Sequence, residues 1–151
     1  MDVDGTLTDG KIYMGANGEL MKAFNIKDGA GIHDILIPNH ITPVIITGRI
    51  SDIVLMRCKE LGITEIYQGV TDKSEKLIEL LEERNCGFES VAYIGDDIND
   101  LPCMNLVKQE NGLIGCPADA VQSVKKVSDF IASCKGGDGA VREFIEWLIK
   151  N

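Results

Sequence analysis

An apolar run passes directly into a group of acids at Val91-Ala92-Tyr93-Ile94-Gly95-Asp96-Asp97-Ile98-Asn99-Asp100. A short run without polar interruption is typical of a strand that is covered on both faces, as in a parallel sheet. In an open parallel sheet the ligand crevice lies at the carboxyl ends of the strands. This stretch therefore predicts a parallel sheet and places several carboxylates where a ligand would bind.

The rest of the chain alternates short apolar runs with longer amphipathic segments, without an internal repeat or a linker. The predicted strands are Thr42–Thr47, Thr64–Gln68, Val91–Gly95, Leu113–Cys116 and Asp129–Ala132. The predicted helices are Gly29–Ile37, Ser51–Leu61, Lys73–Arg84, Asn99–Asn105, Ala118–Val124 and Asp138–Ile149. This order predicts an α/β fold, a Rossmann-like doubly wound parallel sheet with helices on both faces, in a single domain over residues 1–151.

One segment near the start breaks this alternation. Lys11–Met14 and Leu20–Phe24 flank the turn signal Gly15-Ala16-Asn17-Gly18, which predicts a protruding β-hairpin over about residues 11–24. Its many apolar side chains favour contact with another subunit. Packing of the hairpin against its own domain is the alternative, because an isolated hairpin is marginally stable in water. The apolar residues concerned are Ile12, Tyr13, Met14, Leu20, Met21 and Phe24.

Composition limits the partners of this chain. The 15 Lys and Arg against 24 Asp and Glu leave a formal charge of -9 on 151 residues, which disfavours binding to nucleic acid or to an anionic membrane. No apolar run approaches the ~18 residues of a membrane span. The five scattered cysteines, an odd number, predict free thiols in a reducing compartment and thus a cytoplasmic location. An anionic substrate would need a local patch of positive charge.

Two groups of acids indicate a metal site. Asp2 and Asp4 lie two residues apart, so on a strand their side chains point the same way, although Asp before Gly is also common in plain turns. The acids at 96, 97 and 100 would repel one another unless a divalent cation were bound. Hard oxygen donors suit magnesium better than zinc, so we predict a Mg²⁺ site.

Two further residues favour a phosphate ligand. Thr47 ends a strongly apolar strand and would present its hydroxyl to the same crevice, and Lys73 opens a helix from which a fixed positive charge could reach a phosphate. Alone, Thr47 is an ordinary turn residue and Lys73 an ordinary solvated helix start. Their order along the chain with the two acid groups is what indicates a phosphate site.

The four motifs, at residues 2–8, 46–49, 73 and 95–100, resemble those of the haloacid dehalogenase superfamily of phosphotransferases. Residues 9–13, 22–29, 67–69 and 136–143 further resemble its small branch without a cap domain, the 3-deoxy-D-manno-octulosonate 8-phosphate phosphatases. The resemblance covers nearly the whole chain. It implies a cytoplasmic phosphatase of lipopolysaccharide biosynthesis that removes phosphate from a phosphorylated 3-deoxy-2-keto sugar acid.

The resemblance also implies a division of labour among the motif residues. Asp2 would attack phosphorus and form an aspartyl phosphate, and Asp4 would protonate the leaving oxygen and then take a proton from water. Thr47 and Lys73 would hold phosphoryl oxygens. Magnesium would be held by the carboxylates of Asp2 and Asp96 and by the backbone carbonyl of Asp4.

Substrate contacts and assembly follow from the resemblance as well. The implied substrate-binding residues are Asn25, Ile26, Lys27, Asp28, Gly29, His33, Arg49, Arg57, Lys73 and Arg142. Lys27 and His33 stand where relatives often carry arginine, which leaves the carboxylate contact open. In the resembling family the hairpin mediates a homotetramer whose active sites are completed at subunit boundaries.

The start of the chain departs from the family pattern. Only Met1 precedes Asp2, whereas relatives have an apolar strand there and a strand usually has ~5–6 residues. We expect the fold to form and the activity to be lower than in a version extended by several apolar residues. A terminal ammonium beside Asp2 would compete with magnesium.

Three other functions use some or all of the same motif residues. A receiver-type signalling domain also places acids, Thr and Lys around magnesium, but its phosphorylated Asp lies on a later strand. A non-catalytic, tetramerising phosphatase-like domain would lose chemical groups, and all four groups are present. A phosphatase for a nine-carbon sugar acid 9-phosphate, such as that of sialic acid or KDN, would share every catalytic residue and stays open.

Overall fold

The computed structural model describes all 151 residues. The strands are β1 Tyr13–Gly15, β2 Gly18–Met21, β3 Val44–Ile46, β4 Glu65–Tyr67, β5 Ala92–Ile94, β6 Leu113–Cys116 and β7 Phe130–Ile131. The helices are α1 Ile26–Ala30, α2 Asp52–Glu60, α3 Lys73–Arg84, α4 Leu101–Gln109, α5 Gln122–Val127 and α6 Ala140–Leu148. Strands and helices alternate from β3 onward, as the sequence predicts. None of the helices combines the length and the apolar content that crossing a membrane requires.

The central sheet is parallel. β3 pairs with β4, and β5, β6 and β7 pair in that order. The first residues of the chain join the two groups, since the Ile46 amide donates to the Met1 carbonyl and the Asp2 amide donates to the Ile94 carbonyl, both at 3.1 Å. The order across the sheet is therefore β4, β3, residues 1–3, β5, β6 and β7, and Asp2 comes from its centre.

Successive residues of each inner strand point into two different cores. Ile45 and Ile94 belong to the core that contains residues of α2 and α6, and Ile46 and Tyr93 belong to the core that contains residues of α3, α4 and α5. All four side chains are almost fully buried. The two cores confirm a sheet covered by helices on both faces, with no cap domain.

The hairpin forms outside the central sheet. β1 and β2 pair antiparallel around a two-residue turn, with Gly15 opposite Gly18. Gly18 has a φ of +114°, which a residue with a side chain rarely adopts. Met14 and Leu20 are 64% and 67% exposed. The hairpin is thus as predicted in type and place, with shorter strands.

The predicted helix Gly29–Ile37 differs from the observed structure. The helical region begins at Ile26, because the Asn25 side chain accepts a hydrogen bond from the Lys27 amide at 2.8 Å and caps the helix. It then continues as a π-helix over Gly31–Leu36. The helices predicted at Asn99–Asn105 and Ala118–Val124 are also displaced, to α4 and α5 respectively.

Candidate active site

The predicted catalytic groups lie at one edge of the sheet. Thr47 follows β3, Asp96 lies two residues after β5, and Lys73 is the first residue of α3. The Thr47 side chain is buried, its amide donates to the Tyr67 carbonyl at 3.0 Å, and its carbonyl accepts from the Val70 amide at 3.1 Å. This position at the strand end agrees with the crevice that parallel topology predicts.

A tight turn takes the chain out of the sheet after Val3. Three successive amides, of residues 6, 7 and 8, donate to the Val3 carbonyl at 2.9–3.2 Å. Gly5 in this turn has a φ of +100°, and a Cβ atom there would lie 2.0 Å from Oδ2 of Asp96. Glycine is required at this position by both its backbone conformation and the close approach of the Asp96 carboxylate.

Lys73 holds two carboxylates inside the protein. Its Nζ lies 2.6 Å from Oδ1 of Asp2 and 2.7 Å from Oδ1 of Asp100, and all three side chains are buried. Burial lowers the pKa of Lys73, but the two carboxylates outweigh it and raise the pKa above its ordinary value. Lys73 is therefore a permanent cation that orients Asp2.

Three acids form a compact cluster. Asp2, Asp96 and Asp100 each offer a carboxylate oxygen, and these oxygens lie within 4.8 Å of one another. Burial, together with the charges of Asp2 and Asp100, raises the pKa of Asp96 to about 7. Burial also raises the pKa of Asp2, since it outweighs the opposite effect of Lys73. The cluster lacks enough positive charge to keep all three acids ionised.

Asp100 was not predicted as a site residue, although it belongs to the acidic motif at residues 95–100. Its Oδ1 accepts hydrogen bonds from Lys73 and from the Tyr93 hydroxyl, and its Oδ2 accepts from the amides of Asp96 and Asp97 at 3.0 and 3.3 Å. Both oxygens are thus engaged by the protein. Asp100 positions Lys73 and the loop that carries Asp96.

The oxygen atoms available as metal ligands at this site fit a magnesium ion. Asp2 and Asp96 each accept one side-chain hydrogen bond on Oδ1, from Lys73 and from the Thr6 hydroxyl, so the second oxygen of each has no side-chain donor. The carbonyl oxygen of Asp4 accepts no hydrogen bond from the protein. Carboxylate and carbonyl oxygens are ligands that Mg²⁺ prefers, and a cation would relieve the repulsion within the cluster.

Magnesium affinity is expected to rise with pH. Below about pH 7 a proton occupies Asp96 and competes with the metal, and above it the carboxylate is free. The apparent dissociation constant for Mg²⁺ should therefore fall about tenfold between pH 6 and pH 8, as measured by titration calorimetry. Equal affinity at the two pH values would contradict this assignment. Asp96→Asn should remove the pH dependence and most of the affinity.

Asp4 lies apart from the cluster of three. It falls in the turn, where the alternation of a strand no longer applies, and its carboxylate is not among the three clustered acids. It bonds instead to Nζ of Lys22, and its Oδ2 lies 3.7 Å from Nε of Arg49. The two predicted catalytic acids therefore have separate cationic partners.

The partner of Asp4 is a residue that the sequence reasoning did not select. Lys22 follows β2, and its side chain is only 1% exposed. Its Nζ also lies 2.9 Å from Oε1 of Glu19. The Glu19 carboxylate accepts hydrogen bonds from Arg49 on Oε1 and from the Ser51 hydroxyl on Oε2. Two signals were available: Lys22 directly follows an apolar hairpin strand, and it is the first residue of the stretch 22–29 that resembles the family.

The predicted substrate loop packs against α2 and α6. The buried Asp28 carboxylate accepts from the amides of Gly139 and Arg142, at 3.2 and 2.8 Å, so it caps α6. Burial raises the pKa of Asp28. A Cβ atom on Gly29 would lie 2.4 Å from Nη2 of Arg57. These contacts give Asp28, Gly29 and Arg57 structural partners within the chain.

The remaining predicted substrate contacts are spread over the surface. Nδ1 of His33 lies 2.6 Å from Asp34, and Nε of Arg142 donates to Glu146 at 2.6 Å. Ile26 is 80% exposed, and the Lys27 side chain has no ion-pair partner. Apart from Lys73, Arg49 is the one predicted substrate-binding cation that contacts a predicted catalytic acid. Asn25, Asp28, Gly29 and Arg57 line one small cavity of this chain, and His33, Arg49, Lys73 and Arg142 lie outside it.

The first residue of the chain pairs with β3 as a neighbouring strand would. The Met1 nitrogen donates to the Val44 carbonyl at 2.7 Å, on the β3 side, and makes no hydrogen bond to Asp2. The expectation that lengthening the chain before Asp2 raises activity stays a prediction.

Known proteins resemble this chain over almost its whole length. The profile of the haloacid dehalogenase-like hydrolase family matches residues 47–145. The 3-deoxy-D-manno-octulosonate 8-phosphate phosphatase of Escherichia coli is 46% identical over 149 residues, which are 99% of this chain and 77% of that protein. The Yersinia pestis enzyme of the same name is 45% identical over 148 residues, 98% of this chain and 76% of that protein.

Solved structures agree with the sequence comparison. The crystal structure of the Yersinia pestis phosphatase superposes with a TM-score of 0.90 at 44% identity, covering 99% of this chain and 78% of that one. The corresponding phosphatase of Moraxella catarrhalis, in complex with magnesium, phosphate and KDO, has a TM-score of 0.90 at 40% identity, covering 99% and 83%.

Proposed function

Because the chain belongs to the haloacid dehalogenase-like hydrolases, and among them to the 3-deoxy-D-manno-octulosonate 8-phosphate phosphatases, we propose that it hydrolyses this sugar acid phosphate in a magnesium-dependent reaction. The observation that carries the proposal is the buried Asp2 carboxylate, held by Lys73 within a 4.8 Å cluster that includes Asp96. A carboxylate fixed beside a metal-binding acid is suited to attack a phosphate ester.

Asp2 acts as the nucleophile. Lys73 holds the carboxylate through Oδ1, and an oxygen of this carboxylate forms a bond to phosphorus while the ester bond to the sugar oxygen breaks. Asp2, Asp96 and the Asp4 carbonyl would hold magnesium, whose positive charge would offset the repulsion between carboxylate and phosphate. The product of this half-reaction is an aspartyl phosphate on Asp2.

Asp4 moves the protons of both half-reactions. It donates a proton to the sugar oxygen as that oxygen leaves, and then accepts a proton from the water whose oxygen attacks phosphorus and releases Asp2. The Asp4 side chain is 21% exposed, so it can reach both the sugar and water. Thr47 and Lys73 hold the phosphoryl oxygens during these steps.

Recognition of the sugar acid combines the predicted residues of more than one subunit. Arg49 lies beside Asp4, the proposed general acid, and its side chain is 42% exposed. The KDO bound in the Moraxella catarrhalis structure supports the substrate class. The contacts of the 25–29 loop, His33, Arg57 and Arg142 with this substrate are part of the proposal.

Phosphate release from a panel of phosphosugars tests the function. With Mg²⁺ we expect turnover of 3-deoxy-D-manno-octulosonate 8-phosphate at least about tenfold above that of nine-carbon sugar acid 9-phosphates and simple hexose phosphates. A chelator should abolish the turnover of all of them. Preference for a nine-carbon substrate would reassign the substrate, and absence of any turnover would reject the enzyme.

The hairpin supports a proposal about assembly. Four of its apolar side chains, those of residues 12, 14, 20 and 21, are more than half exposed. A monomer rarely leaves such a group of side chains in water. The proposed state is a homotetramer with contacts through the hairpin, which a measured particle mass of four chains would support. The free thiols of all five cysteines support the cytoplasmic location.

A further inference from the structure

We propose that Lys22 is a positioning residue that holds Asp4 in place to protonate the leaving group, an inference that rests on the proposed phosphatase function. Its Nζ bonds to Oδ1 of Asp4 and lies 2.9 Å from Oε1 of Glu19. The Lys22 side chain is 1% exposed. The hairpin therefore contributes a buried cation to the site as well as an apolar surface.

Burying the Lys22 ammonium costs folding free energy that an apolar side chain would not cost, so its charge has a role. Removing an ammonium group from water is unfavourable unless the group is paired, and an apolar side chain in its place would avoid that cost. The strand before it already supplies apolar side chains, at Leu20 and Met21. The carboxylates of Asp4 and Glu19 both contact the ammonium and offset this cost.

The Glu19 carboxylate is in turn held by Arg49 and Ser51. Its Oε2 accepts a hydrogen bond from the Ser51 hydroxyl, at the residue before α2, and its Oε1 lies 3.3 Å from Nη2 of Arg49. The Glu19 side chain is 15% exposed. The chain of contacts runs from the start of α2 through Glu19 and Lys22 to Asp4, so the Asp4 carboxylate is tied to the body of the domain.

The two lysines of the site serve different acids. Lys73 contacts Asp2, which attacks phosphorus, and Lys22 contacts Asp4, which serves the leaving oxygen. Apart from Lys22, the Asp4 carboxylate has Arg49 alone as a partner, at 3.7 Å. A general acid must lie within hydrogen-bond reach of the oxygen that it protonates, so the orientation of Asp4 depends chiefly on Lys22.

This arrangement predicts that loss of Lys22 affects substrates unequally. A sugar oxygen leaves only with a proton, whereas p-nitrophenolate is a stable anion and leaves without one. A correctly placed general acid contributes about 10²–10⁴-fold to a step that needs it. Damage to the fold, to metal binding or to contacts with the phosphoryl group would slow both substrates alike.

The test compares kcat/KM for two substrates of the Lys22→Met variant at saturating Mg²⁺. This ratio reports the half-reaction up to departure of the leaving group, and not the later hydrolysis of the aspartyl phosphate, which also uses Asp4 and is common to both substrates. We expect a loss of about a hundredfold on the sugar acid phosphate and less than about threefold on p-nitrophenyl phosphate. An equal loss on both substrates, or no loss on either, would overturn the inference. If the wild-type protein hydrolyses neither substrate, the proposed function itself fails, which is a distinct outcome.

A second variant keeps the test decisive if Lys22→Met does not fold. Glu19→Gln retains the shape of the side chain but weakens its contact with Lys22. We therefore expect a smaller loss of activity, again larger on the sugar acid phosphate than on p-nitrophenyl phosphate. Equal effects on the two substrates would again overturn the inference. Lys11→Met is the matched control, because Lys11 lies before the same hairpin with its side chain 72% exposed.

Discussion

Replacement of Asp2 by Asn is expected to lower phosphate release by more than about a thousandfold while the fold is retained. The amide has nearly the shape of the carboxylate, and its oxygen can still accept the hydrogen bond from Lys73. It lacks the anionic oxygen that forms the bond to phosphorus, so no aspartyl phosphate can form. The measurement is phosphate release at saturating Mg²⁺, with thermal unfolding to verify the fold.

The control for this variant is the same substitution at an exposed acid. Asp52 is the first residue of α2 and lies at the surface, so Asp52→Asn should leave turnover within about twofold of the wild-type value. Turnover by Asp2→Asn close to that of the wild-type protein would exclude the covalent mechanism. Asp4 would then remain as the acid to test for a direct attack by water.

Replacement of Lys73 by Met is expected to lower the free energy of unfolding by about 3–5 kcal/mol, the usual result of removing one partner of a buried pair. The variant leaves Asp2 and Asp100 buried without the cation that lies 2.6 and 2.7 Å from them. Phosphate release should also fall by more than about a hundredfold, because Asp2 is no longer oriented.

The pH dependence of this loss follows from the carboxylates. The pKa of Asp2 rises further when Lys73 is removed, so at low pH this carboxylate becomes protonated and its burial costs less. The difference in unfolding free energy between wild type and Lys73→Met should therefore be larger at pH 8 than at pH 5.5. Urea unfolding without Mg²⁺ at the two pH values measures it.

A lysine from the same helix provides the comparison. Lys76 pairs with Glu79 at the surface, so Lys76→Met should change the free energy of unfolding by no more than about 0.5 kcal/mol. Equal stability of Lys73→Met and the wild-type protein at pH 8 would show that the cluster does not need its cation. The orientation of Asp2 would then require another explanation.

Most of the fold was predictable, because it depends on patterns within short stretches. The helix Lys73–Arg84 and the strand Leu113–Cys116 were predicted with the bounds that the structure shows. Each has its own hydrophobic pattern, and α3 has a capping acid, Asp72, immediately before it. The region after Asn25 was predicted less well: its π-helix begins at Gly31, which packs closely against Arg142 and Ile145 of α6, and such a distant contact leaves no pattern within a short stretch.

The candidate site was predictable in part, for a related reason. Asp2, Thr47, Lys73 and Asp96 stand at strand and helix ends that parallel topology brings to one edge. The close contact of Lys73 with Asp2 is consistent with that prediction. The place of Asp4 was not predictable, because the strand alternation assumed for it ends at the turn after Val3.

The alternation of strands and helices, the family and the chemical types of the groups at the sheet edge follow from the amino-acid order, because each depends on neighbours along the chain. Which buried charges meet depends on the folded domain. Lys22 pairs with Asp4 across 18 residues, and Asp28 caps a helix 111 residues away. A buried charge takes its partner from whichever element packs beside it, and that depends on the packing of the whole domain.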